Sequence, residues 1–211
     1  MGRGASKAGG SEGQFGGGME NKDSTTTVKN SHPLTQEIGK TGGGEFANQI
    51  MGTRDAMEAE YGSAVKDMNL HVATFSDATT LGAYGGDTLY MNQKYIRNKN
   101  LTEAMKSAEA SGFHPSIGNK TGAEAVTAHE IGHRLGEKAA AKAGISEQDI
   151  VGRAAKKVGI KTENMAGHIS KYARSNYSET IAEASADVYC NGKKANKVSK
   201  AIMKEVKAIL K

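Results

Sequence analysis

His129-Glu130-Ile131-Gly132-His133 holds the chain's most telling spacing, because residues four apart share one face of a helix. At roughly 5–6 Å between Cβ atoms, both imidazoles can turn a nitrogen toward a single Zn2+ ion. Glu130 follows the first histidine directly, and from there its carboxylate reaches the water that a bound zinc would acidify. Two histidines leave the coordination one protein ligand short, since hydrolytic zinc sites take three and keep a position for solvent. The continuation HExxHxxGxxH is met at Gly136 but fails at Ala139, where a third histidine would stand. The third ligand must come from elsewhere, and the other common solution takes a carboxylate from a second helix downstream; the alternative for the acidic residues found there is an exposed stripe. Glu179, Glu183 and Asp187 are four apart and line one helix face. Like charges stacked this way cost a few tenths of a kcal/mol per pair unless a cation lies opposite. Ile181, Ala182 and Val188 make the other faces apolar enough to bury that helix.

The pattern formed by HExxH, then Tyr172, Asn176 and Glu179-x-x-Ala182-Glu183, resembles the zinc peptidase domain of the anthrax lethal factor group, part of the gluzincin class. The likeness covers about residues 121 to 190. A looser echo at Gly86-Asp87-Thr88-Leu89-Tyr90-Met91-Asn92 looks like the strand ahead of the active-site helix in such proteases. Similar domains occur at the ends of phage head and minor capsid proteins, whose Gly-rich openings this chain also resembles. The resemblance implies His129, His133 and Glu179 as Zn2+ ligands, Glu130 as general base, and Tyr172 as the hydroxyl that steadies the oxyanion. Glu183 would stand behind a ligand histidine and fix its tautomer. A second register remains, in which Glu183 and Asp187 match the thermolysin-like ligand and its supporting carboxylate. Glu179 is preferred because it alone leaves Tyr172 and Asn176 at their familiar offsets. The implied activity is zinc-dependent endopeptidase, with a polypeptide as substrate and phage capsid components as further partners. The alternative is a phage structural or morphogenesis protein whose zincin domain processes itself or stands idle.

The elements needed to bring these residues together can be read from periodicity. The implied class is α+β, a mainly helical zincin-like domain with a small sheet. Residues 1–44 combine Gly runs with Ser24-Thr25-Thr26-Thr27, a composition that reads as a flexible arm, leaving residues 45–211 as the domain. Phe46, Ile50, Met57 and Tyr61 predict a helix from Glu45 to Tyr61, stopped by Gly62. Strands are expected over Leu70 to Phe75 and Thr88 to Met91, and a helix from Asn100 or Thr102 to Ala110. Thr121 opens the motif helix, with Gly136 as its exit. Ser146 and Asp149 form a capping-box pattern for a helix to Val158. Further helices are expected over Glu163 to Lys171, Ser178 to Cys190 and Ala195 to Leu210. The strand from Leu89 to Asn92 is the expected edge on which an extended substrate would pair.

Composition bounds the remaining readings. The 211 residues include 27 Gly, no Trp and one cysteine, Cys190, which excludes an internal disulfide framework. A net charge of +5 permits nucleic acid as a partner without selecting it. The last helix sets Val198, Ile202, Val206 and Ile209 in one stripe against several lysines, which reads first as a helix packed on the domain with a solvated basic face. No segment has the roughly 20 apolar residues of a membrane span, and the N-terminus lacks a signal peptide's apolar core, so a soluble protein not secreted by a cleaved signal is expected. Its location is left open, the resemblance to phage proteins making the virion or the host cytoplasm candidates. Met1 to Ser6 matches a myristoylation pattern, read as chance in a Gly/Ser-rich tail. Among the other histidines, His71 and His114 read as structural or exposed, His168 as a residue that could line the site, and His32 as part of the arm. Tyr177 is the alternative hydroxyl.

Overall fold

The computed structural model describes residues 14–16, 27–77, 79–96 and 100–211. The myristoylation pattern and much of the expected arm lie outside them. The fold is α+β: seven α-helices and a small mixed sheet among the described residues.

Strands β1 (Gln14–Gly16) and β2 (Val28–Pro33) are followed by a 3-10 turn over Leu34–Glu37. Helices α1 (Gly43–Tyr61) and α2 (Ser63–Lys66) then lead into β3 (Asn69–Phe75), β4 (Thr80–Gly85) and β5 (Thr88–Asn92). The helical half comprises α3 (Asn100–Ala110), α4 (Gly122–Ala143), α5 (Glu147–Val158), α6 (Tyr177–Asn191) and α7 (Lys197–Leu210). Strand order is β1-β4-β5-β3-β2, with β4–β5 and β3–β2 antiparallel, and β5–β3 and β4–β1 parallel.

The ordered fold starts earlier than the expected boundary at residue 45. β2 pairs with β3 along most of its length, and Leu34 behind it is 1 % exposed in the core. As an edge strand β2 keeps most of its residues in contact with solvent, so its polar composition resembles that of an arm. His32, expected in that arm, bonds the buried Glu37 through Nε2 at 2.7 Å.

The central element is α4. Every residue from Gly122 to Gly136 is buried except Glu124, as expected of a helix packed on all sides. Thr121 and Glu124 close a reciprocal capping box at its start, a signal present in the sequence as Thr-x-x-Glu. Gly136 does not end it. The helix runs on to Ala143 and stops at Gly144, whose φ of 64° is left-handed. α6 and α7 pack on one side of it, and α1, β4 and β5 on another. The stripe Val198, Ile202 and Val206 of α7 is buried, while Lys157 pairs with Glu205 and Lys207 with Glu60.

Two further expectations fail here. The segment from Glu163 to Lys171 is not a helix but a run of short 3-10 turns, Thr162–Asn164 and Ala166–His168, followed by Tyr172–Arg174. The strand from Leu89 to Asn92 is not an edge, because β5 lies between β4 and β3. β4 takes the place beside the motif helix. Its sequence conceals it, because Thr80-Leu81-Gly82-Ala83-Tyr84-Gly85 has the glycines of a loop rather than alternating polarity.

Candidate metal centre

Two close helix approaches build the site. A Cβ on Gly132 would sit 2.7 Å from Ala182 Cα and 2.7 Å from Ser185 Cβ, so the absent side chain lets α6 cross directly over the HExxH turn. Ser185 Oγ, in that same contact, donates to the Ala128 carbonyl at 2.8 Å. On the strand side, a Cβ on Gly82 would stand 2.9 Å from Val126 Cγ1 and 3.1 Å from Glu130 Oε1. β4 therefore runs past the motif helix at Glu130. Arg134 secures that hairpin by donating to the Ala64 carbonyl and to Asp87, the left-handed turn residue between β4 and β5.

At the crossing, His129, His133 and Glu179 form one buried group that could hold a metal ion, with ligand atoms all within 4.8 Å of one another. Glu179 Oε2 lies 3.2 Å from His129 Nε2 and 3.5 Å from His133 Nε2, and the two Nε2 atoms are 3.2 Å apart. Asn176 caps α6 by accepting from the Glu179 amide at 2.8 Å, which sets Glu179 in the first helical turn.

The far side of each imidazole is engaged. His129 Nδ1 is 2.9 Å from Glu183 Oε1, and an ionised carboxylate can only accept, so Nδ1 carries the proton. His133 Nδ1 is 2.9 Å from Ser178 Oγ, and Glu147 lies beyond that hydroxyl. When both rings are neutral and carry the proton on Nδ1, the lone pairs of both Nε2 atoms and of Glu179 Oε2 meet at one point. Three converging lone pairs repel unless a cation lies among them.

The two carboxylates favour a positive charge at this point. Burial opposes charge at His129, yet Glu179 and Glu183 outweigh it and hold the pKa up at about 10. Burial prevails at His133 and pushes it down to about 4. Burial also opposes ionisation of Glu183, but His114 and His129 outweigh it and hold the carboxyl down at about 2. Glu179 is lowered, burial being overcome by His133 and His129. Glu130 is pushed well above the ordinary carboxylate range by burial, and among the described residues neither of its oxygens has a hydrogen-bond partner. Such orphaned buried oxygens beside two imidazoles fit a divalent cation and its bound solvent. The donor set of two imidazoles and one carboxylate suits Zn2+.

Tyr172 donates its hydroxyl to Glu179 Oε1 at 3.2 Å, and burial with the neighbouring carboxylates raises its pKa, so it stays protonated. Asp187, the third carboxylate of the stripe, is elsewhere: it accepts from Asn191 Nδ2 and the Asn196 amide at the turn into α7. His168 is exposed and gives its carbonyl to Asn196. His71 sits on β3 against Ser31 and Tyr90. His114, expected to be structural or exposed, is buried with its Nδ1 3.1 Å from Glu183 Oε1. Ser170 Oγ completes the setting with a 2.6 Å bond to Glu183 Oε2. Neither residue has a local sequence signal, since both reach the site across turns. No protein-family profile matches the chain, and comparison with curated proteins and with solved structures finds no significant match.

Proposed function

We propose that the chain is a zinc-dependent endopeptidase of gluzincin type, similar to the lethal factor group. The observation that carries this reading is the convergence of His129, His133 and Glu179 on one buried point, with the orphaned carboxyl of Glu130 on the same helix. A zinc ion held there supplies a Lewis acid that polarises a peptide carbonyl and brings a water molecule's pKa toward about 7. Glu130 accepts the proton of the attacking water and delivers it to the departing amine. Burial raises its pKa, which favours its holding the proton between the two transfers. Tyr172, protonated and already within reach of Glu179, donates to the oxygen on which negative charge develops. Glu183 holds the His129 ring in its donating tautomer. The outer side of β4, next to Glu130, is where an extended peptide would lie, and it would have to displace β1 to pair there.

The test is metal analysis paired with Glu130→Ala. About one zinc per chain is expected, with peptide cleavage lost in the variant while the metal stays bound. A folded chain that takes up no zinc, or a variant with undiminished cleavage, overturns the reading.

One observation favours a second reading, in which the domain belongs to a phage morphogenesis protein that processes its own arm. β1, from that arm, pairs with β4 between Thr80 and Ala83, the stretch that includes Gly82. Incubating the purified chain should then release an N-terminal fragment in wild type and not in Glu130→Ala. An intact wild-type chain removes this version.

A further inference from the structure

Glu183 is a fully buried carboxylate, and its charge is tolerated only because donors surround it. Among the described residues it meets His129 Nδ1 at 2.9 Å, His114 Nδ1 at 3.1 Å and Ser170 Oγ at 2.6 Å. The first is the back of a ligand histidine. His114 shares the same oxygen, Oε1, so the position of that oxygen is set by two imidazoles at once.

The His114 ring has a second neighbour. It packs edge-on against Tyr172, with centroids 5.3 Å apart and planes at 72°, and Phe113 packs on the same tyrosine at 5.3 Å. Tyr172 is the residue whose hydroxyl reaches Glu179. The backbone holds this arrangement from both sides. Lys171 and Tyr172 donate their amides to the carbonyls of Gly112 and Phe113 at 3.0 Å each, which joins the loop after α3 to the turn before α6. Pro115 disfavours a helical conformation at His114, keeping that loop extended.

We propose that His114 is a positioning residue that acts on the site in two ways. Its Nδ1–H fixes the Glu183 oxygen that orients His129, and its ring edge holds the plane of Tyr172. The proposal rests on the endopeptidase reading. It assigns to one side chain the alignment of a metal ligand and of the proposed oxyanion donor, two groups that sit on different elements.

The two effects separate by substitution. His114→Phe keeps a ring against Tyr172 and removes the donor to Glu183; His114→Asn keeps a donor of similar reach and removes the ring. Zinc affinity is read by competition with a chromophoric chelator, with circular dichroism as the check on folding. His114→Phe is expected to bind zinc about 10- to 100-fold more weakly, as loss of a partner behind a ligand histidine typically does. His114→Asn is expected to hold zinc within about threefold of wild type. Its kcat should fall with KM unchanged, and Tyr172→Phe added to it should cost less than Tyr172→Phe alone. Zinc binding in folded His114→Phe equal to wild type overturns the hold on Glu183, and unchanged kcat in His114→Asn overturns the hold on Tyr172. If His114→Phe does not fold, zinc affinity of His114→Asn decides the hold on Glu183, which a loss above about tenfold overturns. Wild type that binds no zinc overturns the endopeptidase reading itself, and this inference with it.

Discussion

Behind His133 stands a short polar chain, Ser178 then Glu147, that is as specific as the one behind His129. Glu147 has its pKa pushed up to about 7, chiefly by burial and further by Glu137 and Glu179, with Ser178 opposing. Gly136 leaves room for this carboxyl, since a Cβ there would lie 2.6 Å from Glu147 Oε1. The glycine that looks like part of a longer zinc motif therefore serves the packing of Glu147 and Ile181 instead. The folded-state pKa exceeds the ordinary value, so the folded state binds the proton more tightly and loses stability as pH rises from about 4.5 through 7. Glu147→Gln should thus be more stable than wild type at pH 8, on the order of 1–3 kcal/mol, with the difference vanishing below about pH 4.5. Thermal melts at the two pH values check it, and an equal gain at both would show that the effect is not the carboxyl's charge. Glu183→Gln should act oppositely at neutral pH, since it removes the charge that His114 and His129 are arranged to meet. Zinc affinity in a chelator competition should drop about 10- to 100-fold.

At the scale of elements, the site is a crossing of two helices, and Gly132 sets how closely they cross. Gly132→Ala has to push α6 outward, because both neighbouring atoms at 2.7 Å belong to backbone or to a Cβ that cannot swing away. It should lower stability by about 1–3 kcal/mol and weaken zinc binding together, measured by denaturant unfolding and chelator competition. A variant that loses stability alone would mean that Glu179 reaches the histidines without the close approach. The hairpin is the other positioning element. Asp87 adopts φ 61° and pairs with a guanidinium that is itself buried. Asp87→Asn keeps a residue tolerant of that conformation and removes the charge, and because the Asp87 side chain is 54 % exposed an unfolding free energy lower by up to about 1 kcal/mol is expected. The helices are legible in the sequence because a four-residue interval and a cap are local facts: His129 with His133 and Glu179 with Glu183 at the crossing, Ser146 with Asp149 at the start of α5. β4 is not, because its burial comes from α4 and β5 rather than from its own alternation. The stretch Glu163 to Lys171 misleads in the other direction. Its residues suit a helix, but Lys171 and Tyr172 are claimed by the carbonyls of Gly112 and Phe113.

Taken whole, the molecule places its proposed ion between α4 and α6, and through His114 also touches the loop after α3. A ligand that binds only this assembled arrangement stabilises it by mass action, about 4 kcal/mol at a thousandfold excess over Kd. For a chain of this length the melting temperature should rise by about 8–16 °C when zinc is added to chelator-treated protein. Calorimetry with and without the metal checks this, and coincident melts would dismiss a zinc-linked core. The same long-range wiring explains which site residues stay hidden in the sequence. His114 lies 69 positions from the carboxylate it holds, and no periodicity links them. Among the described residues no helix is long and apolar enough to cross a bilayer.

The strand added by Gln14–Gly16 belongs to the same chain as the edge it occupies. Its local concentration is set by the tether, at about millimolar, and not by the amount of protein in solution. Dilution cannot wash it off. A free peptide that uses β4 competes against a resident rival that never leaves the neighbourhood, so its apparent affinity is discounted by whatever fraction of time the edge is taken.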